Sequence, residues 1–302
     1  MFHFPIFSVL FLVIVALCEP FVPPGFAQTS TLDSFSTPKI QPSISVENDI
    51  PYLPAATIND KYAQDTCKLD LYLPANAQPG FPLLIWFHGG GLQEGSRKDD
   101  ITVARRFAEN GVGFITADYR LSPRVKYPVY IQDAANAIAW AINEGVKRGA
   151  APKAIFIGGH SAGGYVAALL AMDEKYLKDA GVAPNSIAGY LPVSGQLITH
   201  STVRQERGLS RSTILADEAS PLYHIHRDIQ PMLLLVGDKD MAGRLEETQL
   251  FTTALTSIAK NKTTSMQVIA SRTHVTIYTR LFTPGDVAGP AMLEFIKKWS
   301  KK

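Results

Sequence analysis

The chain has 302 residues, 46% of them hydrophobic, with 29 basic and 27 acidic side chains and a formal net charge of +2. That is enough apolar material for one large core, and an α/β domain of this length need not split in two. The charges are interspersed, so no clustered basic face marks a nucleic-acid partner, and the terminal KKWSKK reads as lysines complementing a helix C-terminus.

Phe4 to Leu17 is almost wholly apolar and is followed by EPFVPPGFAQTS. The run is shorter than the about 20 residues a spanning helix needs, and it fits the apolar region of a secretory signal. Gly25 and Ala27 put small residues before a cleavage point, so the expected signal peptide is 1–27. Only the α-amino group and His3 supply positive charge ahead of the run, which makes a retained anchor the second reading. A lipoprotein site at Cys18 is disfavoured by the bulk of Leu17. The expectation is an exported protein, periplasmic or secreted, with no stable membrane insertion after signal removal. Residues 28–61, rich in Ser, Thr and Pro up to Pro54, read as a linker or an arm lying on the domain, and 62–302 as the main domain. Of the two cysteines, Cys18 would leave with the signal. Cys67 then has no intramolecular partner and reads as a packed thiol.

From Thr66, CKLDLYLP alternates like a strand. Leu83 to Phe87 is a short continuous apolar run, as in a strand buried on both faces, and it ends in HGGG. Ile101 to Asn110 has helical spacing and stops at Gly111. Gly113 to Ala117 is a second buried strand, followed by DYRLSP. Ile131 to Arg148 is helical in spacing, Ala154 to Ile157 is a strand, and Tyr165 to Met172 is a helix. Strands at Ile187–Val193 and Met232–Val236, a helix at Arg244–Ile258, a strand at Ser265–Ile269 and a helix at Ala291–Trp299 complete the order. Strands alternating with helices specify an α/β fold with a mostly parallel central sheet and helices on both faces. In such sheets ligands sit beyond the carboxyl ends of the strands. HGGG, GHSAGG, GDKD and RTH all fall there.

Gly159-His160-Ser161-Ala162-Gly163 fits G-x-S-x-G between a strand and a helix. A serine on so sharp a turn leaves no room for side chains two residues away on either side. Ser161 is the candidate nucleophile; the plainer reading is an N-cap serine after a glycine turn. In HGGG, Gly90 and Gly91 let bare N–H groups approach a developing oxyanion, and the Ala162 N–H is the third expected donor. His88 reads as packing within the loop. His274 is the candidate base, because His200, His224 and His226 precede the Met232 strand and His160 lies within the serine turn. His224 and His226 lack a third metal ligand at suitable spacing. The acid lies in GDKD, where Asp238 and Asp240 both remain open.

With these residues in place, the chain resembles the α/β-hydrolase superfamily, in particular the HGGG-bearing carboxylesterases of the hormone-sensitive-lipase-like and bacterial feruloyl-esterase-like groups. The resemblance runs from about Tyr62 to the C-terminus and rests on WFHGGG, ADYRLSP, YPVYIQDAANAIAW, IGGHSAGGY, LLLVGDKD and RTHVTIY. It implies the α/β-hydrolase fold, with Ser161, Asp240 and His274 as the triad and Asp238 as second choice for the acid. It places the oxyanion donors at Gly90 and Gly91, alongside Ala162. It implies a serine esterase acting on a small-molecule ester, short-chain or linked to an aryl or carbohydrate group, without metal or organic cofactor. No amphipathic cap helices precede Thr66, which implies an open acyl pocket, and Gln93 and Glu94 put polar groups near its mouth. Two other readings compete: an aryl-formamidase or other small-amide hydrolase, and a non-catalytic binding protein on a hydrolase scaffold. The expected assembly is a monomer or a homodimer.

Overall fold

The strands that are apolar on both faces form the centre of one sheet, and the amphipathic helices cover its two sides. The computed structural model describes residues 44–53, 60–74 and 78–300. The expected signal at 1–27 lies outside these residues. In chain order the elements are β1 (Ile44–Pro51), α1 (Lys61–Thr66), β2 (Lys68–Pro74), β3 (Phe81–Phe87), α2 (Ile101–Glu109), β4 (Gly113–Ala117), α3 (Val129–Lys147) and β5 (Ala150–His160). Then follow α4 (Ala162–Met172), α5 (Lys175–Asp179), β6 (Gly189–Val193), α6 (Ser201–Glu206), β7 (Met232–Lys239), α7 (Arg244–Thr253), β8 (Thr264–Thr273), α8 (Thr276–Thr279) and α9 (Ala288–Trp299).

The eight strands lie in the order β1-β2-β4-β3-β5-β6-β7-β8. β1 and β2 pair antiparallel, as do β2 and β4, and every later pairing is parallel. The expected α/β arrangement is therefore the observed one. Side chains alternate between two cores, as the two-residue repeat of a strand requires. Leu83, Ile85 and Phe87 of β3 join Ile155 and Ile157 of β5 against α3, α4 and α7. Leu84 and Trp86 join Phe156 on the opposite side against α2 and α9. α4 is buried along its whole length, which explains why AGGYVAALLAM is apolar all round. α2 instead buries Val103, Ala104, Phe107 and Ala108 along one stripe.

The sheet begins earlier than the boundary at residue 62. Ile44–Pro51, read from sequence as part of a linker or arm, is the edge strand β1 and pairs with β2 over most of its length. Cys67 ends α1 just before β2 and is buried, and desolvation pushes its thiol up to about 12, an unreactive state. α5, α6 and α8 are short helices that the periodicity does not announce. The helix expected at Arg244–Ile258 is α7 followed by a π turn over Ala254–Ile258. Among the described residues no helix is long and apolar enough to cross a membrane.

Candidate active site

The turn between β5 and α4 holds Ser161 at φ 57° and ψ −115°, a conformation an L-residue rarely adopts. The glycines around it have a measurable reason. A Cβ on Gly163 would stand 1.8 Å from the Phe87 carbonyl oxygen, and one on Gly159 would stand 2.4 Å from the Gly163 backbone. The turn is pressed against the end of β3 and against itself. Ser161 N–H donates to the Val193 carbonyl at 2.9 Å, and its own carbonyl accepts from Tyr165 N–H at 3.0 Å. These bonds fix the strained residue between β6 and the first turn of α4.

His274, just beyond β8, reaches across to it. Its Nδ1 lies 2.8 Å from Asp240 Oδ1 and its Nε2 2.8 Å from Ser161 Oγ. A carboxylate only accepts, so Nδ1 carries the proton and the Nε2 lone pair faces the serine hydroxyl. Asp240 follows β7 and also accepts from Ser194 Oγ at 2.6 Å and from Met241 N–H at 2.7 Å. Burial pushes its carboxyl up, but the bonds from His274, Ser194 and Met241 outweigh it and hold it below the usual carboxylate value. Asp238 is exposed and accepts from Arg272 N–H at 3.2 Å, bracing the end of β7 against β8.

The loop after β3 brings Gly90 and Gly91 to the same edge. Gly89 sits where a Cβ would be 3.4 Å from the Ser161 Cβ. Among the described residues, the amides of Gly90, Gly91 and Ala162 donate to no protein acceptor. Gly90 adopts φ 101°, and its carbonyl accepts from the Gln93 and Glu94 amides at 3.0 Å. Thr202 Oγ1 of α6 donates to the Gly91 carbonyl at 2.5 Å. Behind the loop, His88 is buried and stacked on Tyr119 at 4.4 Å between ring centres, and Tyr119 Oη donates to the His88 carbonyl. Desolvation pushes the His88 imidazole down, so the ring is a neutral packing element.

Three contributors carry no sequence motif. Ser194 directly follows β6, at the carboxyl end of that strand, and donates to Asp240. His160 is the variable residue of the serine turn; its Nε2–H donates to the His274 carbonyl at 2.8 Å, and its ring stacks on Tyr278 at 4.9 Å. Desolvation and the neighbouring His274 push His160 down to about 3, which keeps it neutral. α6 reaches the site through Thr202, which bonds the Gly91 carbonyl. His224 Nε2 pairs with the Glu218 carbonyl. Among the described residues no group of three or more His, Cys, Asp or Glu side chains is disposed to hold a metal ion.

The BD-FAE family model matches residues 69–187. The chain is 26% identical over 200 residues to Esterase LipC of Mycobacterium tuberculosis, covering 60% of this chain and 50% of that protein. It is 31% identical over 115 residues to Carboxylesterase NlhH of the same organism, covering 38% of this chain and 35% of that one. The chain spans about half the length of the first curated relatives it matches. Among solved structures, esterase B from Lactobacillus Rhamnosis superposes with a TM-score of 0.70 at 21% identity, covering 85% of this chain and 86% of the other. The esterase of Pyrobaculum calidifontis superposes with a TM-score of 0.64 at 21% identity, covering 85% of each chain.

Proposed function

We propose that this chain, which has the α/β-hydrolase fold, is a serine carboxylesterase that hydrolyses small esters through an acyl-enzyme. The observation that carries the reading is the continuous hydrogen-bonded series Ser161–His274–Asp240, with both links at 2.8 Å, on a strained turn beside unpaired amides. Relatives named as esterases and carboxylesterases support the ester class.

In the mechanism, Ser161 Oγ attacks the ester carbonyl while His274 Nε2 takes its proton. Asp240 holds the Nδ1–H tautomer and stabilises the imidazolium. The amides of Gly90, Gly91 and Ala162 hold the oxyanion, where a single donor is worth on the order of 10²–10³ in rate. His274 then protonates the leaving alcohol, and water repeats the sequence on the acyl group. Gln93 and Glu94, exposed polar residues beside Gly90, favour short-chain or aryl- and carbohydrate-linked esters over long fatty ones.

Ser161→Ala is the direct test. Its kcat on short 4-nitrophenyl esters should fall by about 10⁴ or more at unchanged circular dichroism. A folded variant with full activity would remove Ser161 from the reaction. A formyl-anilide substrate run beside the esters separates an ester hydrolase from an amide hydrolase.

A further inference from the structure

A cavity of about 490 Å³ lies between the segment after β6 and the start of α7. These are the two stretches that carry Ser194 and Asp240. Its walls include Arg204, Arg211, Ile198, Ile214 and Leu250. Arg211 links this wall to the oxyanion loop, its Nη1 lying 3.4 Å from Gln93 Oε1.

The charge here is unusual. Arg204 is 3% exposed, and its Nε has no hydrogen-bond partner. One of its terminal nitrogens donates to the Thr213 carbonyl, a neutral acceptor. Arg244, next in sequence to Gly243 of the cavity wall, is 10% exposed, and its Nε and Nη1 have no hydrogen-bond partner. Its nearest carboxylate, Glu247, stands 3.6 Å away and already accepts from the Leu197 amide. Arg211 meets only neutral partners, Gln93, Gln205 and Ser201. Arg204 and Arg211 line the cavity together with Glu247 and the exposed Glu246, and neither arginine makes a hydrogen bond to a carboxylate among the described residues. Burying a guanidinium with an unsatisfied donor is costly unless an anion completes it. Desolvation pushes both Arg204 and Arg244 below their usual pKa values; Glu247 opposes this at both and Asp240 at Arg244, while repulsion from Arg211 and Arg244 adds to it at Arg204.

We infer that this cavity binds a carboxylate at the end of the substrate remote from the scissile ester, with Arg204 and Arg211 as its ligands. The planar guanidinium fork matches a carboxylate, and the apolar wall accepts the carbon body that links it to the ester. Ile214, 88% exposed, and Leu250, 54% exposed, form the outer part of that wall. The preferred substrates are therefore esters of a dicarboxylic acid, or esters whose alcohol part carries an acid group. The placement of the ester rests on the esterase reading of Ser161; the anion site does not.

Two matched substrates test the inference on the full chain. Mono-4-nitrophenyl glutarate and 4-nitrophenyl valerate have the same acyl length and differ in a terminal carboxylate. The expected result is a kcat/KM about tenfold or more higher for the glutarate ester, carried by KM and weakened by added salt. R211Q should collapse that ratio, and R204K, which keeps the charge and loses the fork, should reduce it. Equal kcat/KM for the two esters, or a ratio unchanged in folded R211Q and R204K, overturns the inference while valerate turnover upholds the esterase reading. Calorimetric binding of glutaric monoanilide against valeranilide supplies the converse. If both esters are inert, yet the acidic anilide binds selectively and R211Q abolishes this, the anion site stands and the esterase reading falls.

Discussion

Asp240 accepts from three donors, His274 among them, whereas Asp238 accepts from the Arg272 amide of β8. Asp240→Asn should therefore lower kcat by on the order of 10³–10⁴, because the amide stabilises the wrong tautomer of His274. Asp238→Asn should change kcat by less than about twofold. Steady-state kinetics on one short ester decide between them, and equal losses would break the assignment. Ser194→Ala removes one donor from the Asp240 carboxylate without touching substrate, so kcat should fall by roughly tenfold at unchanged KM. A rise in KM with kcat intact would make Ser194 a binding residue instead. Ser161, Gly90 and Gly91 are legible because each belongs to a local pattern, whereas His274 is singled out by its place in the chain order of the strands. Ser194 is not legible, since its partner lies 46 residues away and the contact exists only once β6 and β7 are neighbours. His160 bonds a carbonyl 114 positions distant for the same reason.

At the scale of elements, legibility followed burial. β3, β4 and β6 read as strands because neither face meets water, and α2 because its apolar stripe has helical spacing. α6 spans six residues, too few to be stable alone, and it persists because Thr202, Val203 and Arg204 are buried by other parts of the chain. β1 carries a mixed pattern, ISVENDIP, because it is an edge strand with a half-wet surface. The serine turn makes a sharper prediction about glycine. Gly163→Ala would drive a methyl group into the Phe87 carbonyl, with no flexible side chain to yield. Gly181, at φ 77°, has no neighbour within 4 Å of a built Cβ, so Gly181→Ala pays only the left-handed backbone cost of about 1–2 kcal/mol. Thermal unfolding should show a clearly larger loss for Gly163→Ala, or failure to fold. A smaller loss than at Gly181 would mean the turn is not braced as described.

Across the whole molecule, charged groups far from Ser161 tie the sheet to the site and set its response to pH. Arg97 binds Asp49 of β1, Asp70 of β2 and Asp118 beyond β4. Tyr119, next to Asp118, carries the His88 loop. Asp70 is raised by burial but lowered further by Lys98, the Asp49 amide and Arg97, so its folded-state pKa lies below the ordinary value. Its stabilisation is present above that ordinary value and is lost as pH falls through the folded one.

Asp100 has the opposite sign. It is buried at the N-cap position of α2 and accepts from Tyr278 Oη and Thr116 Oγ1, and desolvation raises it to about 7, with Asp99 adding to the effect. The folded state therefore holds this proton more tightly than the unfolded chain. The contribution is complete below about 4, the unfolded value, and is lost as pH rises to about 7 and beyond. Asp100→Asn imitates the protonated acid: its carbonyl can accept from Tyr278 while its amide donates to Thr116, whose hydroxyl then turns to the Arg97 carbonyl. Between pH 5 and 8 the wild-type Tm should fall relative to this variant, and the two should converge at the acid end of the range. Parallel curves across that range would show that Asp100 is already ionised at pH 5. The same variant reports on coupling to the site, because Tyr278 stacks on His160, which holds the His274 carbonyl. If ionisation of Asp100 loosens that stack, kcat of the wild type above pH 7 falls below that of Asp100→Asn, while the two agree near pH 6.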